Sequence, residues 1–304
     1  MNTKSEKYLL IAGFIIISLI WGSTWLAIKI GLDSVAPFFG VALRFTVAFI
    51  ILLAILKVRG EKLPTDKNSV ILYLQLGICS FSLPFALVYW AEQHIASGLA
   101  SILFAFYPFV VMVLSHYILD DEKITIYKTT GLIAAFLGLI LIFGLDVSFS
   151  SSATKGMIAV IISVIFQASS LVFVKKNGKH ISPIAMNVGG MIVGLPVMYA
   201  IAFSTESFSS VHFDAKGILS IFYLGSFGTV VTFVVYYWLL KRVQAVLLSF
   251  VSFITPILAV IFGALILNET LSPNIFSGAA LVLFGLVIVN GKEIVKLLGV
   301  ENKE

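Results

Sequence analysis

The chain has 304 residues, of which 60% are hydrophobic and only 12% charged, with a net charge of +5. Soluble domains carry about 25% charged residues, and no single soluble core hides this much apolar surface; disorder is excluded as well, since it needs low hydrophobicity and high charge. Nor do the basic residues mark a nucleic-acid partner, because they sit in short breaks between apolar runs rather than on one polar face.

These properties predict an all-α integral membrane protein embedded in the lipid bilayer. A helix needs about 20 mostly apolar residues to cross a hydrocarbon core of ~30 Å. Ten runs approach that length: segments 1 to 10 at 8–30, 37–57, 69–91, 97–119, 125–144, 156–175, 182–203, 216–240, 245–267 and 273–291. Segment 1 carries WGSTW (21–25), is too long for a signal peptide and lacks a small-residue cleavage site. Segment 2 opens at Pro37 and holds Arg44 seven residues in. Segment 3 contains the sole cysteine, Cys79, which rules out a disulfide framework and a cysteine metal site, and it ends in Tyr89-Trp90. Pro108 falls near the middle of segment 4, which is followed by the acids 120–122 and, in segment 5, by Gly131 and Gly138. Segment 6 carries Gln167, Ser169 and Ser170; segment 7 opens at Pro183 and carries Asn187. Segment 8 ends in Tyr237-Trp238, Pro256 lies mid-way along segment 9, and Glu269, Gly278 and Gly285 accompany segment 10.

If the segments alternate across the membrane, sixteen of the twenty Lys and Arg residues fall on one side and three (Lys29, Lys155, Lys216) on the other, Arg44 being inside. Positive residues stay cytoplasmic, which predicts both termini inside. The two halves also align. GSTWLAIK (22–29) lies over ASSLVFVK (168–175), and Pro37 over Pro183, at an offset of 146. Tyr89-Trp90 over Tyr237-Trp238 and Pro108 over Pro256 give 148, and Glu122, Gly131 and Gly138 over Glu269, Gly278 and Gly285 give 147. Seven anchors within one residue of a single offset predict two repeats, 8–144 and 156–291, followed by a cytoplasmic tail, 292–304. Five segments per repeat is an odd number, so the second repeat enters from the opposite face. Inverted halves that exchange conformations are the geometry of alternating access, and this predicts a transporter rather than an enzyme.

Ten segments in two such repeats resemble the EamA-type members of the drug/metabolite transporter superfamily. The resemblance rests on WGSTW (21–25), LRFTVAF (43–49), and the series Pro108, Glu122, Gly131, Gly138 with its second copy Pro256, Glu269, Gly278, Gly285. It implies an inner-membrane exporter of amino acids or related small metabolites, with a central cavity between the repeats.

Arg44 is the first substrate-binding candidate, since a charge about 10 Å deep faces a cavity or a partner rather than lipid; a structural clamp on backbone carbonyls is the competing role. Gly190 occupies the matching place in segment 7, so the site is expected to be asymmetric. Trp21, Trp25, Gln167 and Asn187 are further candidates, with helix–helix packing as their ordinary role. Pro108 and Pro256 are candidate hinges, because a mid-helix proline frees a carbonyl one turn earlier. Tyr89, Trp90, Tyr237 and Trp238 are candidate gates or, more plainly, interfacial belt aromatics. Glu122 and Glu269 stand where an acid complements the start of segments 5 and 10. No phosphate loop, cofactor motif or metal-ligand cluster is present in the sequence. A lipid flippase, a membrane-embedded enzyme and a receptor are the alternative readings, and self-association is left open.

Overall fold

A computed structural model describes residues 3–32, 34–95, 100, 103–143, 151–211, 213–267 and 274–298. Every regular element among them is helical. The elements are α1 (Thr3–Leu32), α2 (Pro37–Val58), α3 (Lys67–Leu76), α4 (Leu83–Glu92), α5 (Tyr107–Ile118), α6 (Ile126–Phe143) and α7 (Ser151–Asn177). They continue with α8 (Pro183–Thr205), α9 (Ala215–Gly225), α10 (Thr232–Leu240), α11 (Ala245–Ser249), α12 (Val251–Leu267) and α13 (Asn274–Leu298). Among the described residues, seven continuous helical stretches are long and apolar enough to cross a bilayer, and three shorter apolar helices lie within α5, α6 and α13.

Local chemistry sets the element ends. Pro37 and Pro183 occupy first turns, where the missing N–H costs nothing. Asp66 caps α3 by accepting from the Asn68 and Ser69 N–H groups, and Asp214 caps α9 through Gly217 N–H at 2.7 Å. Gly60, at φ 63°, ends α2: its N–H bonds Lys57 O and that of Glu61 bonds Leu56 O.

Two segments are interrupted by π turns. Gly77–Ser82 joins α3 to α4, and Ser226–Val231 joins α9 to α10, 149 residues later. Pro84 explains the first, since its ring excludes an ordinary bond to the carbonyl of Ser80. In each turn a hydroxyl donates to the carbonyl five residues back: Ser82 to Gly77 O at 2.6 Å, and Thr229 to Leu224 O at 2.8 Å.

Segment 4 differs from expectation. Residues 105–106 form a turn, and Pro108 sits in the first turn of α5 rather than mid-helix, as a proline without an N–H is best accommodated there. Pro256 does lie inside α12. At the C-terminal end, the segment predicted as tail continues α13 as far as Leu298. Glu269 lies outside the described residues.

Helices α2 and α8 lie side by side in opposite directions and are clasped at both ends. Beyond the C-terminus of α2, Glu61 accepts the hydroxyl of Ser182, the N-cap of α8. Beyond the C-terminus of α8, Glu206 accepts the N–H groups of Phe38 and Phe39 at 2.9 and 3.0 Å. The Glu61 end of the bundle also gathers Lys241 onto Lys179 O and Ile181 O, Lys175 onto Leu240 O and Val243 O, and Arg242 onto Glu6. Glu122, 3% exposed, accepts from Ala245 N–H at 2.7 Å and Val246 N–H at 3.4 Å. The acid thus complements the start of α11, not that of α6 as its place in the chain suggests.

Glycines set the closest crossing. A Cβ on Gly131 would meet Gly285 O at 2.5 Å, and one on Gly138 would meet Gly278 O at 2.6 Å, so α6 and α13 run antiparallel with backbones touching. Their outer faces expose Ile133, Leu137, Phe276, Leu283 and Phe284. Such a surface is an aggregation liability in water and an ordinary boundary against lipid tails.

Candidate functional site

A cavity of about 170 Å³ lies among the helices, walled by α1, α2, α4, α5, α7, α10, α11 and α12. For scale, a cavity of about 150 Å³ holds one benzene ring. Arg44 reaches it from α2 although only 3% of the residue is exposed. Its Nη2 donates to Thr229 Oγ1 at 3.2 Å and Gly228 O at 3.4 Å, and the guanidinium also bonds the Tyr89 hydroxyl. The rings of Phe45 and Phe85 each lie 5.3 Å from its Cζ. Arg44 Nε is buried with no partner, and among the described residues no carboxylate pairs with the side chain. Aromatic faces and backbone dipoles offset part of a buried charge, but they do not neutralise it.

Aromatic hydroxyls form the opposite wall. Tyr107 and Tyr236 share a hydrogen bond of 3.0 Å, and Tyr237 meets Ser80 Oγ at 3.3 Å. Trp21 packs on Tyr236 and Phe233 at 5.1 and 5.6 Å between centroids, with its Nε1 donating to Gly228 O at 3.3 Å. Ser249, Ser252 and Thr255 add a polar stripe from α11 and α12. The cavity therefore offers one fixed cation, several neutral hydroxyls and an apolar box.

Of the residues singled out from sequence, Arg44, Trp21, Gln167, Tyr89 and Tyr237 all line this space. Asn187 does not: it is fully buried in α8, its Nδ2 donates to Pro183 O at 2.8 Å, and it packs within the helix bundle. The side chain of Trp25 lies outside the described residues. Trp90 stacks on His94 at 4.2 Å, and Trp238 lies under the Arg242 guanidinium at 4.3 Å, both away from the cavity wall. Pro108 and Pro256 each adjoin a lining residue, Tyr107 and Thr255.

Sequence reasoning missed Tyr107, Tyr236, Ser80 and Thr229. It also missed the stripe Ser249, Ser252, Thr255, although polar residues every third position in an apolar run were a legible sign of one helix face.

The EamA-like transporter family model matches the chain twice, over residues 8–144 and 154–291. The chain belongs to the EamA-like transporter family. Among similar proteins, the uncharacterized transporter YoaV of Bacillus subtilis is 32% identical over 275 residues, covering 90% of this chain and 94% of YoaV. Protein PagO of Salmonella typhimurium is 30% identical, with 81% of each chain covered. The uncharacterized inner membrane transporter YedA of Escherichia coli K12 is 28% identical over 89% of this chain and 87% of its own. A solved crystal structure superimposes with a TM-score of 0.81 at 18% identity, covering 94% of this chain and 98% of that one, which shows the shared fold. This EamA-like chain is accordingly a multi-pass membrane transporter, and the cavity is where its solute is to be sought.

Proposed function

We propose that this EamA-like protein is a secondary transporter that exports amino acids or related small metabolites across the inner membrane. It works by alternating access between two inverted five-segment halves, 8–144 and 156–291, with both termini in the cytoplasm. Arg44 carries the reading: a guanidinium buried at a small cavity, with one donor unpartnered and no carboxylate paired with it among the described residues, calls for an anionic group from outside. The amino-acid carboxylate suits it, because a guanidinium offers carboxylates two parallel hydrogen bonds. Sidedness is supported by the basic breaks after segments 2, 6 and 8 meeting at one end of the bundle. The uncharacterized inner membrane transporter YedA supports the location.

Uptake of radiolabelled leucine and phenylalanine, each as acid and as amide, into inverted membrane vesicles tests the reading. Arg44→Lys is expected to insert normally and weaken handling of the acids about tenfold, the size of one lost charge-assisted hydrogen bond, with Arg44→Ala weaker still. The amides are expected to be poor substrates in wild type and to lose little more in the variants. Parallel losses for acid and amide forms, together with a lowered melting temperature, would instead identify Arg44 as a structural clamp.

A further inference from the structure

The second π turn, Ser226–Val231, places its carbonyl and hydroxyl groups where the cavity residues are anchored. Gly228 O receives three side-chain donors: Thr232 Oγ1 at 2.8 Å, Trp21 Nε1 at 3.3 Å and Arg44 Nη2 at 3.4 Å. Wider winding loosens the regular backbone pattern and lets a carbonyl serve side chains in this way. Thr229 is fully buried, and its single hydroxyl proton is committed to Leu224 O at 2.8 Å. Its lone pairs therefore face Arg44, whose Nη2 donates to it at 3.2 Å. With the rings of Phe45 and Phe85 side by side against it, the guanidinium is fixed at one edge by the π turn while Nε is left without a partner. Thr229 does not itself line the cavity.

The corresponding crossing in the other half carries a hydroxyl but no charge: Ser82, which like Thr229 donates five residues back, also donates to Gly194 O of α8 at 3.0 Å. Phe81 precedes Thr229 by 148 residues and Gly190 follows Arg44 by 146. There a Cβ on Gly190 would meet Phe81 Cε2 at 2.7 Å, so a ring fills the place that a cation occupies on the first side. A cation is thus not a requirement of helix packing at this crossing.

We propose that Thr229 is a positioning residue for substrate binding: held by the π turn, its hydroxyl aims the Arg44 guanidinium at the cavity, where it meets the substrate anion. The inference rests on the reading of Arg44 as carboxylate anchor, and it adds a residue that no contact with substrate would reveal. Valine keeps the shape of threonine and removes the hydroxyl, whereas serine keeps the hydroxyl.

The experiment measures binding of leucine and leucinamide to the purified full-length protein carrying Thr229→Val, Thr229→Ser, Arg44→Lys or Arg44→Lys with Thr229→Val. Thr229→Val is expected to weaken leucine about tenfold and leave leucinamide within about twofold, and Thr229→Ser to restore wild-type binding. Added to Arg44→Lys, it should cost less than about twofold, because the two residues act as one unit. Should valine not be tolerated, Thr229→Ala carries the same comparison. Equal losses for leucine and leucinamide, or an undiminished loss in the Arg44→Lys background, would overturn the positioning role. If Arg44→Lys weakens leucine while Thr229→Val does not, this inference alone falls. If Arg44→Lys leaves leucine untouched, the carboxylate reading falls first.

Discussion

Glu61 shows how a single half-buried carboxylate can tie two helices together. It accepts the Ser182 hydroxyl and, at 2.6 Å, Arg59 Nε, and the Ser182 bond is the largest of the influences holding its carboxyl below the usual carboxylate range. A depressed value in the folded state means that its stabilisation is present above about pH 4.3, the ordinary glutamate value, and is lost as pH falls through the lower folded value. The Glu61→Gln variant is therefore expected to show a flatter melting-temperature profile than wild type between pH 5 and 3. Solvent screening keeps the difference small, and identical profiles would show that the Ser182 bond does not matter. At this scale sequence was a partial guide. Arg44 stood out because a charge in an apolar run has few innocent explanations, whereas Thr229 looked like any other threonine until the π turn gave its hydroxyl a direction. Asn187 misled for the opposite reason, since it points away from the cavity and its Nδ2 donates to its own helix at Pro183 O. Glu122 was legible as an acid at a helix start, but only the tertiary fold decides that the helix is α11.

Among the elements, α6 and α13 make the sharpest prediction. A Cβ on Gly285 would meet Gly131 O at 2.4 Å, and both atoms belong to helix backbones that cannot yield locally. Gly285→Ala should lower the thermal stability of the detergent-solubilised protein by about 1–3 kcal/mol through overpacking. Gly40→Ala is the control: a Cβ there meets only Val35 Cγ1 at 3.7 Å, so the helix-propensity gain of alanine, up to ~1 kcal/mol, is expected instead. Equal effects at the two sites would rule out the close crossing. These glycines were visible in sequence as a repeated spacing, though not as a contact with each other. The π turns were less visible still. Pro84 announces a disturbance in the first, but Ser226–Val231 holds no proline, only Gly228, and that turn persists through its own hydroxyl bonds and those that Arg44 and Trp21 bring from distant elements.

For the whole molecule, sequence gave the helical class and most segment limits, because burial in lipid demands long apolar runs and leaves charge to the breaks. It could not foresee the turn at residues 105–106, where an apolar stretch of sufficient length is broken without any polar residue to mark the place. The proposed topology is checked by single cysteines in a Cys79→Ser background. Lys62→Cys and Lys179→Cys, at exposed positions of the Glu61 end, should resist an impermeant maleimide in intact cells, while Gln93→Cys and Ser209→Cys should react. Labelling in the reverse pattern would overturn the inverted arrangement. The double clasp between α2 and α8 then acquires a mechanical meaning. Two antiparallel helices fastened at both ends, by Glu61 to Ser182 and by Glu206 to Phe38 and Phe39, make one body. Arg44 rides on that body, so in the proposed cycle the anion anchor is the stationary frame, and the barriers on either side are what travel past it.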